Sequence, residues 1–520
     1  MQQNNSKTFT YQSRFHLELD EDTLLRKMAE LLSQVERTLF RDIASGQKAG
    51  DLKSSYLKRF KITARQFNSC RVQIEGKIDS IHELRKQQII ERRNHIQSLE
   101  EKIKKQRNKK ARASQLHQKM RRLSRLQAKQ RKLEQDHEER KIRLCFGSKK
   151  LFQEQFYLEE NGLHSHKEWK EKWQKARNSS FFLLGSKDET AGNQSCKATL
   201  EQDDTISLQL RLPDAFITKE KYLTIHNVTF AYGHNEIVAN LKNCALRNQL
   251  QRENNPEYKN YGVALSYRFQ RDEKGWRLFV STPLCPPPSI TRKELGAIGV
   301  DINADHLAVT ETDRFGNPIR HEVISLVSYG KTKDEALALI GDASCTIVNW
   351  AITSKKPIVL EKLNFQEKKS ALRESATAKQ ARLLSSFSYS KIKEFLLSRA
   401  FRHGVEVAEV NPAYTSVIGR VKFATRYGLS IHTAAALAIA RRFLGVSERL
   451  PRREDKIPDG KGGHVTFSLP ERIRGKHVWH HWRQVKKKLS AVPAAQVLAK
   501  TDPPSQRKPT CCDSNRVLCR

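Results

Sequence analysis

The chain has 520 residues, with 95 Lys and Arg against 57 Asp and Glu, a formal charge of +38. Hydrophobic residues make up 38% and charged residues 29%, enough for buried cores in about three or four domains but not for an evenly apolar interior. No stretch approaches the roughly 20 uncharged apolar residues of a membrane-spanning helix, and MQQNNSKTFTYQSR lacks the apolar centre of a signal peptide, so a cytosolic protein without membrane partners is expected.

A cation surplus of this size concentrates polyanions around the chain, which points to nucleic acid. Nine cysteines with no CxxC pair are too scattered for a disulfide scaffold. The densest group, Cys511, Cys512 and Cys519, sits in a polar tail and reads as a metal site or as part of a disordered end.

Residues 8–19 alternate Phe9, Tyr11, Phe15 and Leu17 with polar residues, as one strand does. From Asp20 the period changes, and Leu24, Leu25, Met28, Leu31 and Leu32 recur at helical spacing. Residues 66–143 hold almost no Gly or Pro and predict very long helix. Ile89, Ile96, Leu99 and Ile103, then Leu116, Met120 and Leu123, fit a heptad seam with the polar stretch RNKKARASQ as a hairpin tip between them. Residues 81–143 carry 21 basic and 8 acidic side chains, which suits a solvated coiled coil or, given the one-signed imbalance, a phosphate-facing arm. A polar loop at 178–196 leads into strand-like runs, TISLQLRLP, KYLTIHNVTF and GVALSYRF, and a hairpin through EKGW into RLFVSTPL. CPPPSITRKE then reads as a stiff linker.

From Gly296 the pattern becomes three strands, then helices alternating with strands: AIGVDIN, HLAVTETD, IRHEVISL, a helix over DEALALIGDASCTIVNWAITS, the strand KPIVLEKLN, a helix through FSYSKIKEFLLSRAFRHG, the strand GVEVAEVNP, and a helix from Ser430 or His432 onward. That is an RNase H-like α/β order. Asp301 falls inside the first strand and Glu361 at the end of the fourth, and adjacent pairing of those strands would bring the carboxylates together. A carboxylate inside AIGVDI is costly to bury without a cation or hydrogen bonds, and magnesium prefers such oxygen ligands. A capped Asp and an exposed strand-end Glu is the plainer alternative.

IGVDINADHLAVTETD, PIVLEKLNF, VNPAYTS and HTAAALAI together resemble the transposon-encoded OrfB/TnpB proteins, RuvC-containing, RNA-guided DNA nucleases related to type V CRISPR effectors. The resemblance is strong over 296–442 and architectural before that. It implies the first part of a β wedge domain at 1–20, a basic helical recognition lobe at 21–178, the rest of the wedge at 179–290, a RuvC-like nuclease domain at 291–450, a basic helical extension at 451–490 and a disordered tail at 491–520. It also implies a guide RNA and a target DNA as partners, Mg2+ or Mn2+ as cofactor, and the bacterial cytoplasm or nucleoid as location.

Two departures stand out. The family's four-cysteine zinc ribbon is missing after Thr415 and Ser416, so no zinc is expected. The family's third catalytic acid is replaced by His432, which leaves Asp301, Glu361 and His432 as candidate catalytic and metal-binding residues. A neutral imidazole holds a metal or takes a proton, and nitrogen favours manganese over magnesium; His432 is otherwise only a helix-start residue in a degenerate site. The expected activity is metal-dependent phosphodiester hydrolysis, with an RNA-guided binding protein that cannot cut as the alternative. An RNase H-fold transposase fits less well, because its acids run Asp, Asp, Glu. GKHVWHHWRQVKKKL interleaves Trp479 and Trp482 with cations, which suits base stacking, though Val478, Trp482 and Val485 also form an ordinary apolar helix face.

Overall fold

The computed structural model describes residues 6–108, 113–217, 220–303, 305–327, 330–362, 389–449, 454–458, 464–471, 473 and 475–491. Of the expected hairpin tip RNKKARASQ, residues 109–112 lie outside the described residues, as does the expected disordered tail at 491–520 except for Ala491. The chain divides into two units, Met1–Cys285 and Pro286–Arg520.

In the first unit, β1 (Lys7–Phe15) is followed by helices α1 (Leu19–Ala44), α2 (Lys53–Phe60), α3 (Ala64–Asn108), α4 (Ala113–Glu138), α5 (Lys149–Glu154) and α6 (His166–Arg177). Strands β2 (Ser180–Leu183), β3 (Cys196–Leu200), β4 (Ile206–Arg211) and β5 (Tyr222–Val228) come next, then helix α7 (His234–Arg252) and the hairpin β6 (Ser266–Asp272) and β7 (Gly275–Leu284). Strand β1 pairs antiparallel with β7 from Lys7↔Leu284 to Phe15↔Trp276, and the sheet runs β1-β7-β6-β2. Strand alternation puts Tyr11 and Phe15 beside Leu278 and Val280 in one core, which α1 covers with Leu25, Met28, Leu32, Val35 and Leu39. A capping box, in which Glu18 and Glu21 exchange side-chain and backbone hydrogen bonds, starts α1 after the strand.

Helices α3 and α4 form an antiparallel pair tied by Arg93 to Glu134 and Gln127 to Glu100. The expected seam buries Ile89, Leu99 and Ile103 on α3, but Met120 on α4 is 43% exposed, so the pair has a thin core and broad charged faces. Helix α7 interrupts a segment whose sequence reads as all β. Ile237, Leu241 and Cys244 supply its buried stripe, and it begins at Gly233 (φ 81), where a Cβ would lie 1.9 Å from the Tyr11 ring.

In the second unit, β8 (Ile298–Ile302), β9 (His306–Thr312) and β10 (Pro318–Ser325) are antiparallel, and α8 (Lys333–Ser354) leads to β11 (Ile358–Glu361). Helix α9 (Tyr389–Arg402), β12 (Val407–Val410) and α10 (Ile431–Leu444) follow. The strand order is β10-β9-β8-β11-β12, with β11 parallel to both β8 and β12. This is the order the RNase H-like reading requires, with the first strand beside the fourth. One face, carrying Ile298, Val300, Val309, Ile358 and Leu360, packs against α8 and α9. The other, with Ala297 and Val359, meets Ile439 and Ala440 of α10. Helix α8 is long and apolar enough by composition to cross a membrane, yet Ile340, Ile347, Val348 and Ala351 are spent on this core.

The segment expected as a helical extension carries an antiparallel hairpin, β13 (Glu454–Pro458) with β14 (His464–Ser468), before α11 (Val478–Ala491). The alternation in HVTFS is the local signal, and the density of cations around it masks it.

Candidate functional site

The site is set by the close approach of α10 to β8. A Cβ on Gly299 would lie 2.0 Å from the carbonyl oxygen of Ala436, so glycine in the strand and the run Ala434, Ala435, Ala436 in the helix let backbone rest on backbone. Asp301 is two residues further along β8, about 6.6 Å. His432 is four residues back along α10, about 6 Å. The two side chains therefore meet: His432 Nδ1 lies 3.3 Å from Asp301 Oδ2. Ser430 caps α10 by accepting from the Thr433 amide, which makes His432 a first-turn residue and puts the positive end of the helix dipole toward the Asp301 carboxylate.

Asp301 is 9% exposed. Besides His432 it accepts a 3.0 Å hydrogen bond from the Asn303 amide. The His432 ring is nearly half exposed and packs edge-on against His306, with centroids 4.7 Å apart. His306 is itself held by Asp305 at 2.7 Å.

The register Ile358↔Ile298 and Val359↔Gly299 puts positions 359 and 361 on the same side of the sheet as 299 and 301. Asp301 and Glu361 thus share the α10 face, at the C-terminal ends of neighbouring parallel strands. The Glu361 carboxylate Oε1 accepts from the Thr415 hydroxyl, which also reaches the Pro412 carbonyl at 3.1 Å. Tyr389 donates to the Glu361 backbone carbonyl at 2.8 Å. Burial, reinforced by the charges of Glu409 and Glu361, pushes the Tyr389 phenol well above its ordinary pKa, so it stays a donor. Tyr414, immediately before Thr415, is left-handed (φ 63). A bulky residue adopts that conformation at a cost, and here it directs Thr415 at Glu361.

In chemistry and in face, the donors suit a divalent cation: two carboxylates and an imidazole on one side of the sheet. They are not gathered around one point, because among the described residues no group of three His, Cys, Asp or Glu is close enough to hold a metal. Asp301 and His432 are in contact, while Glu361 is engaged by Thr415. Sequence reasoning missed Thr415, Asn303, His306 and Tyr389 as parts of this neighbourhood. Only the left-handed turn at Tyr414 would have pointed to the first, and nothing in the spacing announces it.

Other singled-out residues are structural. Trp482 and Val485 are fully buried in a cluster with Leu437 of α10, and Trp482 Nε1 donates to the Glu448 carbonyl at 3.2 Å. Stacking on a base is therefore closed to Trp482. Two cations at the end of α10 are likewise engaged in the fold: Arg442 pairs with Glu448 at 2.5 Å, and Arg441 donates to the Gly316 carbonyl.

No family model and no curated protein matches the chain. Among solved structures, T. thermophilus RuvC in complex with a Holliday junction substrate aligns over 28% of this chain and 90% of its own, at 17% identity and a TM-score of 0.21. A CRISPR-Cas12f ternary complex aligns over 84% and 98%, at 12% identity and a TM-score of 0.20. Likeness this weak fixes neither fold nor function; the fold rests on the strand order above.

Proposed function

We propose that the second unit is a RuvC-like nuclease domain and that the chain is an RNA-guided DNA endonuclease of the TnpB-like kind. The observation that carries this reading is the placement of Asp301 and Glu361 on one face of adjacent parallel strands, with His432 against Asp301 at the start of α10. Asp301 and Glu361 would hold a divalent cation, joined by His432. A cation held there would supply Lewis-acid activation to phosphodiester hydrolysis, with Asp301 and Glu361 as its oxygen donors and His432 as its nitrogen donor.

The chain's own residues supply the rest. An Nδ1–H donated from His432 to Asp301 leaves the Nε2 lone pair for a metal or for the proton of the attacking water. Thr415 fixes one Glu361 oxygen and Tyr389 fixes its backbone. The +38 charge draws in both nucleic-acid partners, and base pairing to a guide would supply sequence selectivity.

One observation favours a second reading, an RNA-guided DNA-binding protein that does not cut. The three donors are not assembled into a common ligand set, and a histidine in place of a carboxylate lowers the site's attraction for magnesium. A single experiment separates the two. The purified complex is incubated with DNA matched to its copurified RNA, in Mg2+ and in Mn2+. Cleavage by wild type that is lost in Asp301→Ala, Glu361→Ala and His432→Ala supports the endonuclease. An inert wild type, with cleavage gained by His432→Asp, supports the binding protein. Copurified RNA that is short and heterogeneous, with no shared scaffold, removes both.

A further inference from the structure

In the first unit, a cleft of about 1110 Å³ opens between α1, α3, α6, the segment Leu144–Ser148 and the β6–β7 turn. Eight Lys and Arg side chains and four Asp and Glu side chains line it. At its wall, Ser33 donates to the Arg177 carbonyl at 2.7 Å, and Arg37 donates to Ser33 and to the Asn178 amide oxygen at 2.6 and 2.8 Å. The Arg37 guanidinium is thereby held close to the Arg177 backbone and the Asn178 side chain. Burial and then the Arg177 charge pull the Arg37 pKa down, the mark of cations packed without full compensation. Arg177 Nε is buried without a hydrogen-bond partner.

An aromatic ladder runs from the same wall to solvent. Arg177 lies over the Trp173 ring at 4.5 Å. Trp173 stacks on Trp169 at 5.2 Å and meets Phe152 at 5.8 Å, and Phe152 meets Phe156 at 6.4 Å. The ladder ends at Phe156, 67% exposed, with the adjacent residue Tyr157 at 59% exposure. Cations that track phosphates beside rings that accept base faces are the two components of a single-strand binder. Exposed carboxylates belong to the same cleft, at Glu30 and Glu273. They repel a phosphate but accept a hydrogen bond from a ribose 2′-hydroxyl, a donor that DNA lacks.

We propose that this cleft and ladder bind an unpaired stretch of RNA, with phosphates at Arg177, Lys172 and Lys175 and bases on Phe156 and Tyr157. With the function proposed above this shares only the presence of an RNA partner; it needs no metal and no target DNA. The α3–α4 pair, also strongly basic, lacks such rings and is the competing location.

The test uses the full chain freed of copurified nucleic acid, and an unstructured eight-nucleotide RNA carrying one 4-thiouridine beside the DNA of the same sequence. RNA should bind at least about 5-fold more tightly than DNA. Phe156→Ala with Tyr157→Ala should weaken RNA binding about 10-fold with an unchanged salt slope. Lys172→Gln with Lys175→Gln should lower that slope by about 1.4. All four side chains are exposed, and an unchanged melting temperature verifies folding. Crosslinks should map to α5, α6 or the turn between them. Equal affinity for RNA and DNA, insensitivity to both pairs of substitutions, or crosslinks confined to residues 64–138 each overturn the proposal. Loss of the nuclease reading, or a heterogeneous copurified RNA pool, leaves these measurements intact, so the two failures are told apart.

Discussion

Glu311 and Asp301 are carboxylates of nearly equal burial, 8% and 9% exposed, on neighbouring strands of one sheet. They face opposite sides of it. Glu311, on the α8 side, has one oxygen on Lys356 Nζ at 2.6 Å and the other on Trp350 Nε1 at 2.6 Å, and Lys356 also reaches the Thr312 carbonyl at 2.8 Å. Asp301, on the α10 side, meets the Asn303 amide and the His432 ring. The first charge is balanced inside the fold. The second is held at a helix start beside a half-exposed imidazole, where an incoming cation has something to gain. Burial alone therefore does not tell the two carboxylates apart; the kind of partner does.

The contrast breaks most sharply under removal of charge. Asp301→Asn should cut cleavage of matched DNA about 10⁴-fold while leaving the urea midpoint nearly unchanged, since asparagine keeps the shape of the side chain. If cleavage persists, Asp301 is structural like Glu311. Lys356→Met should do the reverse. It strands Glu311 in the core and destabilises the fold by about 3–5 kcal/mol, while the folded fraction retains cleavage. Glu311→Leu combined with Lys356→Met should recover much of that loss, and equilibrium urea unfolding of the three variants measures it.

Why these two residues differ was only half legible in the sequence. The alternation in AIGVDI and KPIVLEKLN predicts which side each residue takes, and the register Ile358↔Ile298 and Val359↔Gly299 makes the first and fourth strands neighbours, with positions 301 and 361 on one face. Partners from distant segments leave no such trace. Glu311 reads as one more polar residue of HLAVTETD until Lys356 and Trp350 arrive from α8 and the turn after it. The contact of His306 with His432 depends on the helix crossing angle, and that of Thr415 with Glu361 on the backbone at Tyr414, neither of which has a period to detect. Helix α7 and the β13–β14 hairpin were missed because composition outweighed short local signals. Trp482 shows the converse: cations on either side of it in sequence suggest a binding surface, and the helical period buries it.

A smaller effect should sharpen the Asp301 side of the comparison. His432→Asp adds a carboxylate beside Asp301, and the two repel unless a cation lies between them. The melting temperature of this variant should rise with Mg2+ more steeply than that of wild type. Its activity ratio of Mg2+ to Mn2+ should increase about 10-fold, because oxygen replaces nitrogen as a ligand. An unchanged response to Mg2+ in both measurements places position 432 outside the cation's reach.

The smallest expected effect concerns Glu361, the carboxylate that the Thr415 hydroxyl engages. Its Oε1 atom accepts from the Thr415 hydroxyl, and a hydrogen bond from a neutral donor to a charged acceptor contributes about 1.5 kcal/mol. Thr415→Val keeps the shape and removes the donor, so cleavage should fall about 10-fold; Thr415→Ser keeps the donor and should stay within about 2-fold of wild type. Binding of Mn2+ to the protein without DNA, followed by electron paramagnetic resonance, should weaken in the valine variant and recover in the serine one. If valine instead tightens Mn2+ binding, the hydroxyl is a competitor that keeps Glu361 from the ion rather than a support that aims it, and the scattered donor set is the resting state of a site that closes only when Thr415 lets go.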